Sequence, residues 1–143
     1  MSTPRQNPRE AEHRHSNDPV FVVGGGPVGR DVADRLTADG QTVTFVDRSP
    51  PTDPPPEQSV HGVEEVCSAV LRDLELGDVT TALVLEPEDA TNLLLAQCLR
   101  TQFDVERVIV RVNDPDRLDV FENVDVETVD ATAVLGTEIV RRR

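Results

Sequence analysis

Apolar residues fall along this chain in two alternating rhythms. Val20-Phe21-Val22-Val23 is a short unbroken apolar run that stops at Gly24, the pattern of a strand buried on both faces. Val28, Val32, Ala33 and Leu36 then recur at helical spacing until Asp39-Gly40 ends the helix. A second strand, Thr42 to Val46, stops at Asp47, and a loop from Ser49 to Glu57 with five prolines follows, stiff and exposed. Ser59-Val60-His61 reads as a short third strand, and the next helix carries Val66, Ala69, Val70 and Leu74. Thr81 to Leu85 is a fourth strand, and Asp89 or Thr91 is placed to cap the helix bearing Leu93 to Leu99. Arg107 to Val112 is a fifth strand, after which Asp114-Pro115 opens a helix through Leu118 and Phe121 with Asn113 as its candidate cap. Val124 to Val129 is a sixth strand. Asp130 caps a last helix with Val134, Leu135, Ile139 and Val140 on one face, and Arg141-Arg142-Arg143 at its end complements the helix dipole.

Strand and helix alternate six times, which predicts an α/β fold: a Rossmann-type doubly wound parallel sheet with helices on both faces, filling residues 19–143 as one domain. Residues 1–18 are polar and offer too few apolar side chains to offset the entropy of ordering, so they are expected to be a disordered tail. That stretch has no apolar core of a signal peptide or membrane span, and its His13 and His15 are expected to bind no metal.

Gly24-Gly25-Gly26-Pro27-Val28-Gly29 matches GxGxxG, and the motif stands where the chemistry needs it, between a strand and a helix. Gly24 permits the tight turn, Gly26 lets backbone approach a pyrophosphate, and Gly29 allows the helix to pack closely on the strand. The N–H groups of the helix's first turn and the positive end of its dipole suit phosphate. Asp47 ends the next strand, where its carboxylate can accept from ribose hydroxyls and repel a 2′-phosphate, favouring NAD-like or adenosine ligands over NADP. Arg48, its neighbour, could tolerate that phosphate. Arg111, at the carboxyl end of the fifth strand, either faces the ligand crevice or pairs with an acid such as Glu86 or Asp114. Asn92 and Asn113 are read as backbone-binding residues before ligand contacts.

The stretch Val20 to Asp47, followed by Arg111-Val112-Asn113-Asp114-Pro115, resembles the N-terminal nucleotide-binding lobe of RCK/KTN domains, regulators of potassium channels and of Trk/Ktr potassium uptake. The acidic run Glu86-Pro87-Glu88-Asp89-Ala90-Thr91-Asn92 is similar to the family's segment after the fourth strand. The resemblance implies a sheet order of 3-2-1-4-5-6, a homodimer or larger ring, and a membrane potassium transporter or channel as partner. It also implies NAD(H) or ATP, ADP or AMP as the sensed ligand, with Gly62, Val63 and Glu86 joining the site. Two positions depart from the family. Gly62-Val63-Glu64 replaces its Gly-Asp-Ala, and Pro27 stands where ATP-sensing members carry an arginine, which favours NAD(H) over a triphosphate.

Composition narrows the partners. The chain has 27 acidic residues against 14 basic ones, all arginine, for a net charge of −13. Nucleic acid and anionic membranes, which draw on clustered cations, are therefore poor partners. The lysine-free acidic surface suits a salt-rich cytoplasm and reads as that of a salt-accumulating halophile, the alternative being an acidic protein of a GC-rich genome. Cys67 and Cys98 form no metal spacing, and Cys98 sits in an apolar run as a core residue. Catalysis is not expected. The chain has no Tyr, no Lys and a single histidine inside the domain, His61, so no acid–base pair stands ready for hydride transfer. The sequence thus reads as a cytoplasmic nucleotide-sensing regulatory subunit. The competing reading is an NAD-binding component of an oxidoreductase whose substrate domain lies on another chain.

Overall fold

The protein is described here by a computed structural model covering residues 19–143; the expectations for residues 1–18, His13 and His15 among them, lie outside the described residues. Six strands alternate with helices except that β3 follows β2 directly: β1 (Val20–Val23), α1 (Pro27–Ala38), β2 (Val43–Asp47), β3 (Gln58–Gly62), α2 (Ser68–Asp73), β4 (Thr81–Val84), α3 (Asp89–Thr101), β5 (Arg107–Val112), a 3-10 helix η1 (Pro115–Asn123), β6 (Glu127–Asp130) and α4 (Ala131–Arg142). All strand pairs are parallel, in the order β3-β2-β1-β4-β5-β6. The doubly wound sheet and its order are as expected. Chain reversal falls between β1 and β4, the crevice where such sheets take ligands.

The strand sequences match their places. β1 lies at the centre with both faces covered, and all four of its residues are buried. Its alternating side chains feed two cores. Val20 and Val22 join Ala33, Val43 and Phe45 under α1, while Phe21 and Val23 join Leu71 of α2, Leu95 and Leu99 of α3, and Phe121 of η1. The edge strands read differently: β6 is Glu-Thr-Val-Asp and largely exposed.

Several boundaries and caps differ from those the sequence predicts. The sixth strand begins at Glu127 rather than Val124, because the N–H groups of Val124 and Val126 turn back on the carbonyls of Phe121 and Val124. The segment after β5 is a 3-10 helix, not an α-helix: its Asp-, Val- and Asn-containing sequence has weak helix propensity, and only Phe121 is buried. Asp114, not Asn113, caps it by accepting from the Asp116 N–H at 3.0 Å. Neither Asp89 nor Thr91 caps α3; Glu88 holds the cap position without a side-chain bond. Asp130 does cap α4, accepting from the Ala133 N–H at 3.1 Å.

The apolar face of α4 is present but uncovered. Val134, Leu135, Ile139 and Val140 are 55–62% exposed, and none of the helix's residues is buried. No helix among the described residues is long and apolar enough to cross a membrane.

Candidate functional site

The glycine loop joins β1 to α1 with φ of +70°, +99° and +54° at Gly24, Gly25 and Gly26. Gly26 precedes α1 with ψ of −126°, a conformation only glycine adopts at ease, and a methyl group there would meet open space. Gly29, in the first turn of the helix, is the opposite case. A methyl group on it would collide with the Gly24 carbonyl oxygen and stand 3.1 Å from a Phe45 ring carbon. The loop is thus open on the side a ligand would approach and closed on the side where helix meets strand.

Four of its backbone donors are engaged. The Gly24 N–H donates to the Val46 carbonyl and the Val28 N–H to the Gly25 carbonyl, while Pro27 has no N–H to offer. The other two of these donors point at carboxylates. Gly25 N–H donates to Glu86 Oε2 at 2.8 Å, and Gly26 N–H donates to Asp47 Oδ1 at 3.2 Å. Asp47, 4% exposed at the carboxyl end of β2, also accepts from the Ser49 N–H at 3.1 Å.

The remaining expected residues gather around these. Gly62 ends β3 in register with Asp47, and the Val63 N–H donates to the Asp47 carbonyl. Arg48 and Glu86 line one cavity of about 450 Å³, beside Glu64, Glu65, Glu88 and Thr91. The sequence reading passed over Glu65, Glu88 and Thr91 as lining residues. The rule that ligands meet the carboxyl ends of parallel strands would have pointed to them. The cavity is electrostatically lopsided, with four carboxylates and one guanidinium. Among the described residues no group of three or more His, Cys, Asp or Glu is arranged to hold a metal ion.

Arg111 stands apart from the loop. Its Nε donates to Asn113 Oδ1 at 2.6 Å and its Nη1 to the Leu85 carbonyl at 3.2 Å, so it braces the end of β4. It works with a polar clamp that caps no helix. Asn92, fully buried, accepts from the Glu86 N–H at 3.1 Å and donates to the carbonyls of Glu86 and Arg111 at 2.7 and 2.9 Å. Asp89 accepts from the N–H groups of Asn113 and Asp114 at 2.7 and 2.9 Å, and the Asn113 amide donates to the Glu86 carbonyl at 3.2 Å. Four polar side chains therefore fix the backbone from which Glu86 reaches the glycine loop.

A model of the TrkA-N domain family matches residues 20–131. Over 99 residues, 67% of this chain and 45% of the relative, the sequence is 31% identical to the Trk system potassium uptake protein TrkA of Mycobacterium tuberculosis. Over 128 residues, 86% of this chain and 57% of the relative, it is 27% identical to the TrkA of Streptomyces coelicolor. The chain thus spans about half the length of the curated relatives it matches. Among solved structures, it is similar to the NAD(P)-binding domain of an exopolyphosphatase-related protein from Archaeoglobus fulgidus, with a TM-score of 0.67 and 23% identity over 85% of this chain and 95% of that one. It is also similar to GsuK bound to ADP, with a TM-score of 0.70 and 21% identity over 88% of this chain and 33% of that one. At these identities the structural likeness speaks for the fold.

Proposed function

Since the chain belongs to the TrkA-N domain family, we propose that it is a nucleotide-sensing regulatory subunit that binds NAD(H) and controls a membrane potassium transporter or channel. The observation that carries this reading is the glycine loop, open above Gly26 at the β1–β4 switch point and faced by Asp47 at the end of β2. In the bound state the loop and the first turn of α1 hold the pyrophosphate, and Asp47 accepts from the ribose hydroxyls. Arg48 and the backbone at Gly62 and Val63 flank the adenosine half. Pro27 supplies no cation for a terminal phosphate, and the carboxylates of the adjoining cavity oppose a dense one, so a dinucleotide fits better than ATP, ADP or AMP.

The role is regulatory and cytoplasmic, with the transporter as the link to the membrane. Two copies pair through α4, whose exposed Val134, Leu135, Ile139 and Val140 are the surface that their own fold leaves uncovered. On a chain of net charge −13, association between copies has to fall where charge is least, and on this helix Glu138 is already paired with Arg141 and Arg142.

The test is thermal unfolding in molar KCl with NAD, NADH, NADP, ADP, ATP and AMP. A ligand at about 100 times its Kd stabilises the fold by roughly 2.7 kcal/mol. NAD or NADH should raise the midpoint, and Asp47→Ala should abolish the rise. A shift with adenine mononucleotides alone would overturn the choice of ligand. NADH oxidation with an added electron acceptor would overturn the regulatory role in favour of an oxidoreductase component.

A further inference from the structure

We propose that Glu86 is an internal surrogate for a ligand phosphate, a carboxylate gate that must leave the glycine loop before phosphate can enter. The inference rests on the nucleotide reading of the loop and deepens it. Its Oε2 takes the Gly25 N–H at 2.8 Å, and its carboxyl carbon lies 2.6 Å from where a Cβ on Gly24 would stand. The carboxylate therefore lies directly against the loop, in the space that the absence of a side chain leaves free. It brings there a negative charge and acceptor oxygens in planar array, the chemistry a phosphate would bring.

A phosphate entering the loop competes with these carboxylates. With Gly24 and Val28 bonded to backbone and Pro27 lacking a donor, the N–H groups that a phosphate must win from a carboxylate are those of Gly25 and Gly26. Asp47 holds the second with a longer bond of 3.2 Å and a further partner in Ser49, and it is 4% exposed, so it stays. Glu86 is the side chain able to move, because it borders the 450 Å³ cavity into which it can swing. Its backbone, held by Asn92 and Asn113, resists following. The cost of displacing it, and of crowding it among Glu64, Glu65 and Glu88, grows with the charge of the incoming phosphates. Glu86 is thus a specificity-determining residue that selects against phosphate-dense ligands.

The experiment titrates NAD, ADP, adenosine and inorganic pyrophosphate into the full chain and its Glu86→Gln and Glu86→Ala variants by calorimetry at fixed KCl. Gln keeps the shape and removes the charge; Ala removes the gate outright. Both should bind ADP and pyrophosphate about tenfold tighter than the parent, a change of ~1.4 kcal/mol at 25 °C, and adenosine with unchanged affinity. In the ligand-free protein, the Gly25 amide resonance should move in both variants, since it loses its charged acceptor. ADP binding that is unchanged or weaker in the variants overturns the gate and leaves the nucleotide reading standing. Equal tightening of adenosine overturns it too, because relief would then not be phosphate-specific. If neither parent nor variants bind ADP, NAD or pyrophosphate, the nucleotide reading falls and the gate falls with it.

Discussion

Two glycines in helices, Gly29 in α1 and Gly136 in α4, should respond to alanine with opposite signs. At either site alanine lowers the entropy lost on folding and raises helix propensity, a gain of about 0.5–1 kcal/mol. At Gly136 a Cβ meets nothing within 4 Å, so the gain is kept whole. At Gly29 the same methyl collides with the Gly24 carbonyl oxygen, stands 3.0 Å from its carbon and 3.1 Å from Phe45 Cε1. The main obstacle is backbone at the end of β1, which cannot rotate away as a side chain can. Overpacking of this kind costs about 1–3 kcal/mol, and a rigid neighbour places it near the upper end, so the net loss is ~2 kcal/mol. For a chain between the usual size classes each kcal/mol moves the midpoint by about 3–5 °C. Gly29→Ala should therefore melt roughly 6–10 °C below the parent, and Gly136→Ala roughly 2–5 °C above it. The chain has no Trp or Tyr, so unfolding is followed by far-UV circular dichroism, at two protein concentrations to separate self-association from folding. A Gly29→Ala midpoint at or above that of the parent would refute the close-packing argument for this position. A fall at both positions would instead refute the helix-propensity arithmetic.

Three further outcomes follow from particular contacts. Asn92→Leu, nearly isosteric, leaves the Glu86 N–H and the Arg111 carbonyl buried without their partner, which should cost about 3 kcal/mol in urea unfolding; a loss under 1 kcal/mol would mean water replaces the amide. Leu135→Asp removes apolar surface that is 62% exposed, so it should change monomer stability by less than about 0.5 kcal/mol while abolishing the dimer in sedimentation; a parent that sediments as a monomer would remove α4 as a pairing surface. The Arg107 guanidinium, bonded to Glu127 at 2.6 and 3.0 Å, holds that carboxyl below its ordinary 4.5. The folded state therefore favours the ionised form, and its stabilisation is present above the ordinary carboxylate value and lost as the pH falls through the lowered one. For so exposed a pair the amount is under about 1 kcal/mol. Glu127→Gln should thus narrow the stability difference between pH 7 and pH 3 slightly, and an unchanged difference would count against the pair.

The hydrophobic pattern carried most of the architecture because burial alone decides it. The four apolar residues of β1 announced a central strand, and Val28 to Leu36 announced the helix after it. The sheet order came from resemblance, since periodicity says which segments are strands and not which are neighbours. The glycine loop was legible because its backbone conformation is available to glycine alone. The backbone-binding role of Asn92 was legible too, but those of Asp89, Asn113 and Arg111 were not. An Asp or Asn near a helix start serves equally as a cap or as a clamp on a strand 20 residues away, and only the tertiary approach of β4 to β5 decides. Exposure of the α4 face was likewise hidden, because an apolar stripe says that a helix needs a partner without saying that its own domain provides one.

The same clamp decides what a ligand at the loop can be felt by. Glu86 offers its carboxylate to Gly25, its N–H and carbonyl to Asn92, and its carbonyl also to Asn113. Asn113 in turn accepts, through its carbonyl, the hydroxyl of Thr132 at 3.2 Å, in the first turn of α4. Hydrogen bonds thus run from the glycine loop to the helix whose apolar face is uncovered. Continuity is not yet coupling: a ligand shifts the pairing of two copies only by as much as it binds the two arrangements differently. A swing of the Glu86 side chain that leaves its carbonyl in place transmits nothing, because Asn92 and Asn113 read the backbone and not the carboxylate. Regulation through α4 therefore requires phosphate entry to move the Glu86 backbone itself, against the hold of a buried asparagine. The stiffness of that clamp sets how much of the binding energy can reach α4.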